Sequence, residues 1–156
     1  MTKIDFSAIE NIPTEAVHFF KIMMRLEYAL KVIGFGKMDG DRIEICWDRY
    51  ANERFGKDGF KAIRENKKAK TLIDTPPKKQ VIKQDGKLDF RDVAKVTSVQ
   101  ELLGAVRRVR NNLFHGGKSG DPDHDRNDAL IAEATCVITE MLLADEDLRI
   151  TFEGRY

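Results

Sequence analysis

The run 106–118, VRRVRNNLFHGGK, gathers the side chains best suited to chemistry on an anion. It holds three arginines, a histidine and a lysine, with no carboxylate among them. Its setting is an apolar helical stripe of Val99, Leu102, Leu103, Val106, Val109 and Leu113. At about 100° per residue, Arg110 falls within about 20° of Val99 and about 40° of Val106. An arginine on that stripe costs several kcal/mol in lost hydration unless something compensates it. The compensating group is a buried carboxylate, a cleft open to water, or an anionic ligand. Arg107 and Arg108 lie further round and read as solvated. His115 occupies the last helical turn, where the negative end of the helix dipole favours the imidazolium. The plain alternative for it is a C-capping histidine. A regular helix sets Arg110 and His115 about 140° apart. Bringing both to one substrate requires loosening at Gly116-Gly117, or two chains each contributing one of them.

The first apolar segment carries a second anomaly. His18, Lys21 and Arg25 share one polar side. Glu27 and Lys31 lie opposite, in line with Phe20 and Met24, at an i, i+4 spacing that allows them to pair. Either they form a salt bridge or polar cleft of their own, or Glu27 is the carboxylate that compensates Arg110. Asp121, Asp123, His124 and Asp125 are of metal-ligand type but read better as an acidic loop capping the helix that follows. Cys46 and Cys136 stand alone without ligand spacing, as small core residues in a reducing compartment.

Periodicity supplies the elements that must hold these residues. A helix is predicted over 14–33, begun by Pro13-Thr14-Glu15 and ended by Gly34-Phe35-Gly36. A Gly/Asp-rich turn over 38–42 follows, then a helix over 47–55 with a short strand possible before it. A break is expected over 56–59, and a basic helix over 60–69. Residues 74–89, with Pro76-Pro77 and Asp85-Gly86, read as a surface excursion, the mobile or partner-dependent part of the chain. Two strong amphipathic helices, 98–114 and 126–143, complete the pattern. The expected fold class is all-α, an antiparallel helical bundle with minor β-structure and a surface excursion in the middle.

At 156 residues the chain fits a single domain, 1–156. The net charge of +1 selects no partner, but the distribution is uneven: lysine and arginine concentrate over 57–118 and acids over 121–156. No signal peptide is expected at the N-terminus. His18, Lys21, Arg25, Glu27 and Lys31 interrupt the most apolar stretch, 16–33, which argues against a membrane span. A cytoplasmic protein is the expectation.

Arg110-x4-His115, with Asn111 directly after the arginine at the end of a bundle helix, resembles the R-x4-6-H motif of the HEPN superfamily. The runs RLEYALK (25–31) and RNNLFHGGK (110–118) resemble a stand-alone, bacterial or plasmid-borne branch of it. That resemblance implies a bundle of about four to five helices. It also implies a metal-independent endoribonuclease without a cofactor, acting as a homodimer whose two motifs face each other in a composite cleft. In the implied reaction a ribose 2′-OH attacks the adjacent phosphate, leaving 2′,3′-cyclic phosphate and 5′-OH ends. His115 would serve as general acid or base and Arg110 would bind the phosphate and its developing charge. Asn111 would orient groups at the site, with Glu27, Lys31 and Lys118 supporting by position and charge. RNA is the implied partner. Relatives are commonly toxins or antiviral effectors, some neutralised by an antitoxin of nucleotidyltransferase type. Two other readings fit the same residues: a non-catalytic RNA- or nucleotide-binding HEPN domain, and a protein-interaction module in which Arg110 neutralises a buried carboxylate.

Overall fold

A computed structural model describes residues 1–114 and 124–155. Within them the regular structure is mainly helical, with two small two-stranded antiparallel sheets. A short 3-10 turn (Ser7–Asn11) precedes α1 (Thr14–Leu30), whose first amides at Ala16 and Val17 are accepted by the Pro13 carbonyl. Phe19, Met23, Leu26 and Leu30 recur three or four residues apart on α1, and all are buried. The helix widens into a π-helical turn (Lys31–Phe35), where Gly34 adopts a φ of 100° open to glycine and turns the chain. The predicted turn over 38–42 is in fact a hairpin. β1 (Gly36–Asp39) pairs with β2 (Arg42–Ile45), from Gly36 opposite Ile45 to Asp39 opposite Arg42.

Helix α2 (Trp47–Tyr50) runs on as a π-helical turn (Ala51–Phe55), which agrees with the helix expected over 47–55. The expected break shrinks to Gly56, and α3 spans Gly56–Asn66. Gly59 belongs inside this helix for a packing reason. A Cβ there would stand 2.7 Å from the Phe55 ring, so the ring lies directly on helix backbone. After α4 (Lys70–Asp74), the surface excursion proves to be a second hairpin. In it β3 (Lys79–Ile82) pairs with β4 (Leu88–Arg91). Helix α5 spans Val99–Phe114 and α6 spans His124–Ala144, close to expectation; α7 (Glu146–Glu153) was not predicted.

Helix α5 touches α1, α3, α4 and α6, and α1 also touches α6 and α7. Leu102, Leu103 and Val106 of α5 meet Phe19 and Leu26 of α1 and Ile138 and Met141 of α6 in one apolar core, which Tyr50, Ile63, Leu72 and Leu148 extend. Burial of such side chains contributes about 1.5–3 kcal/mol each. Both cysteines are free thiols and half-buried, rather than the core residues expected. Among the described residues no helix is long and apolar enough to cross a membrane.

Candidate functional site

Arg110 emerges from the core side of α5 and meets Glu27 of α1, Nη2 to Oε1, at 3.1 Å. Of the two partners open to Glu27, the structure selects Arg110. Lys31 is exposed one turn further on, and no ion pair joins it to Glu27 among the described residues. The Nε of Arg110 is buried without a hydrogen-bond partner among the described residues.

On one side of Arg110 lies a cleft of about 470 Å³, lined by Trp47, Lys79, Gln80, Gly104, Arg107, Arg108, Arg110, Asn111 and Asn112. Four of these are cations and none is a carboxylate. Arg107 and Arg108 are therefore not the solvated pair expected from the helical wheel. Both are half-buried, and burial is the main cause that holds each guanidinium below the ordinary arginine range. For Arg107, Asp48 opposes that effect and the neighbouring Arg110 and Arg108 add to it. Its guanidinium lies 5.3 Å from the centre of the Trp47 ring, and its Nε also lacks an acceptor among the described residues. Gly104 contributes no side chain, which keeps the wall of the cleft open beneath the Arg107 guanidinium.

The β3–β4 hairpin is fastened to the helices just before Lys79. Arg108 donates to the Pro77 carbonyl at 3.3 Å, and the buried Asn112 donates to the Lys78 carbonyl at 2.9 Å. Arg126 of α6 donates to the carbonyls of Thr75 at 2.8 Å and Pro76 at 3.2 Å. Three side chains from two helices thus fix the segment that delivers Lys79 and Gln80 to the cleft. Asn111 stands exposed in the cleft lining, able to reach a ligand, whereas the Asn112 amide is committed to the hairpin.

On the other side of the Glu27–Arg110 pair is an apolar groove of about 390 Å³, lined by Ile12, Phe20, Met23, Met24 and Leu113 together with the pair itself. Met24 is 67% exposed and Ile12 45%. Arg110 therefore sits where a cationic cleft and an apolar surface adjoin. A larger cleft, about 790 Å³, opens at the other end of α5 beside Arg54, Lys57, Asp58 and Arg64. Its charges are mixed, and its Arg54 is already paired with Asp145 and Asp147.

Glu27 pairs with Arg110, one of the two partners the sequence left open to it, and Asn111 lines the cleft beside Arg110; Lys31 is not joined to Glu27 among the described residues. His115, Lys118, Asp121 and Asp123 lie outside the described residues. Sequence reasoning missed Arg107, Arg108, Asn112, Lys79 and Gln80. One signal was present: Gly104, costly within a helix, stands one turn before Arg107, whose guanidinium folds back to 3.8 Å from where a Cβ of Gly104 would lie. Among the described residues no group of three His, Cys, Asp or Glu side chains is placed to hold a metal ion. The chain matches no protein-family model, no curated protein and no solved structure.

Proposed function

We propose that this chain is a metal-independent endoribonuclease of the HEPN type, its helices forming an antiparallel bundle around the α1–α5 contact. The observation that carries the reading is Arg110 itself. It is a partly buried arginine steadied by Glu27 and opening onto a cleft whose described lining holds arginine and lysine and no carboxylate. Such a cleft suits a phosphodiester, whose charge replaces the hydration that the guanidinium groups have lost.

In the proposed reaction the ribose 2′-oxygen attacks the adjacent phosphorus and the bond to the 5′-oxygen breaks. His115 accepts the 2′-OH proton or donates one to the departing 5′-oxygen, and water carries the other of these two protons. Arg110 binds the non-bridging oxygens as their charge develops, and Asn111 donates a hydrogen bond beside it. The products are a 2′,3′-cyclic phosphate and a 5′-hydroxyl. The active form is a homodimer, for which the support is the exposed apolar groove that ends on the Glu27–Arg110 pair.

The test incubates wild-type protein and its His115→Ala variant with RNA in excess EDTA and identifies the product ends. Wild type alone should cleave, leaving cyclic phosphate ends. Equal cleavage by both proteins would remove His115 from the reaction. Binding without cleavage by wild type would replace this reading with a non-catalytic RNA-binding domain, which the cationic cleft would serve equally well.

A further inference from the structure

One arginine is enough to hold the phosphate that reacts, yet the cleft beside Arg110 carries three more cations. The local partners of two of them are weak. Arg107 has the face of Trp47 and the Coulombic influence of Asp48 and Glu27; Arg108 has one backbone carbonyl at 3.3 Å. Two guanidinium Nε–H groups, on Arg107 and Arg110, are buried donors without an acceptor among the described residues. Those Nε atoms are shielded from solvent, so an anion in the cleft would be met by the outer nitrogens of the same guanidinium groups, which line it. Arg107 and Arg110 are three residues apart on one helix, so their Cβ atoms are about 5–6 Å apart. Lys79 approaches from the hairpin opposite, on backbone held by Arg108 and Asn112.

We propose that Arg107, Arg108 and Lys79 form a second phosphate subsite, which takes the phosphate next to the reacting one on the same RNA strand. The proposal rests on reading Arg110 as the contact to the reacting phosphate. The cleft presents charge and no stacking platform: Trp47, the aromatic residue of its lining, is buried and covered by Arg107. Affinity contributed by this subsite therefore depends on strand length and salt, and little on base identity.

The test uses the His115→Ala protein, so that RNA is not consumed, and follows binding of a labelled oligouridylate by fluorescence anisotropy across a salt series. Adding Lys79→Ala or Arg107→Gln should each weaken binding about tenfold, the equivalent of one charge-assisted hydrogen bond. Each should also lower the slope of log affinity against log salt by about 0.7. Lys61→Ala, an exposed lysine of α3 remote from the cleft, should change neither. If Arg107→Gln fails to fold, Lys79→Ala and the charge reversal Lys79→Glu carry the test, because Lys79 is exposed. Affinity and slope equal to the parent in the Lys79 variants would overturn the subsite, even if the wild type cleaves RNA. Failure of the parent to bind the strand would overturn it as well. A wild type that never cleaves, with Lys79→Ala still weakening binding, would refute the nuclease and, with it, the assignment next to a reacting phosphate, leaving Lys79 as a phosphate contact of an RNA-binding cleft.

Discussion

The Glu27 carboxylate reaches Arg110 with 26% of its side chain still exposed, and Arg110 keeps 33%. An ion pair that wet contributes little to stability, so its consequence lies in where it holds the guanidinium. Glu27→Gln should cost no more than about 1 kcal/mol in a urea melt. RNA cleavage should slow by about tenfold, as a loosened arginine no longer meets the developing charge. Affinity for RNA in the His115→Ala background should hold or rise, since one negative charge beside the cleft is gone. An unaltered cleavage rate would show that Glu27 does not position Arg110. The sequence exposes this pair halfway. Arg110 stands out because it violates an apolar stripe, and Glu27 is then one of the carboxylates able to answer it. Choosing between Lys31 and Arg110 as its partner requires knowing that α1 touches α5, which no helical wheel contains. Arg107 and Arg108 escape the wheel for the same reason, their burial coming from Trp47 and the Pro77 segment.

Among elements, the junction of α7 with the α2 segment centres on the buried carboxylate of Asp145, beside the exposed Asp147 that also pairs with Arg54. Asp145 accepts from the Leu148 amide at 3.1 Å and so caps α7, pairs with Arg54 at 2.6 Å, and accepts from the Tyr50 hydroxyl at 3.3 Å. Burial, reinforced by the Asp145 charge, pushes the Tyr50 phenol well above its usual range. The folded protein therefore holds this proton more tightly than the unfolded chain. The associated stability is complete below the unfolded value of about 10 and is lost as pH rises beyond it towards the folded value. Denaturant melts above that point should lose up to about 1.4 kcal/mol per pH unit through this group. Tyr50→Phe should be less stable at neutral pH but flatter through the alkaline limb; an identical alkaline slope would place the titration elsewhere. Helix α7 was hard to foresee: it is eight residues long, opens on the acidic run Asp145-Glu146-Asp147, and buries only Leu148 and Thr151. The β3–β4 hairpin was obscured similarly. Its strands are four residues each and largely exposed, and its anchors sit on α5 and α6, far along the chain. The long helices, by contrast, declare themselves through repeated apolar spacing.

At the scale of the whole molecule, the question is how many chains complete one site. Arg110 lies beside a surface that leaves Met24 and Ile12 exposed, and a regular α5 would carry His115 about 140° round from Arg110. Both features favour a cleft in which Arg110 of one chain and His115 of another meet. That arrangement has a consequence no single-chain site shares. Arg110→Gln and His115→Ala should each be inactive alone, yet a refolded one-to-one mixture should recover activity. Random pairing makes about half of the dimers mixed, and each of these holds one intact Arg110–His115 pairing of the two in a wild-type dimer, so about a quarter of wild-type activity is expected. The recovered activity should also fall on dilution as the dimers dissociate. If each chain instead aimed its own Arg110 and His115 at the substrate, every cleft in the mixture would lack one of them. The mixture would then stay inactive at all concentrations, even where sedimentation shows mixed dimers, and the apolar groove beside Arg110 would need another occupant.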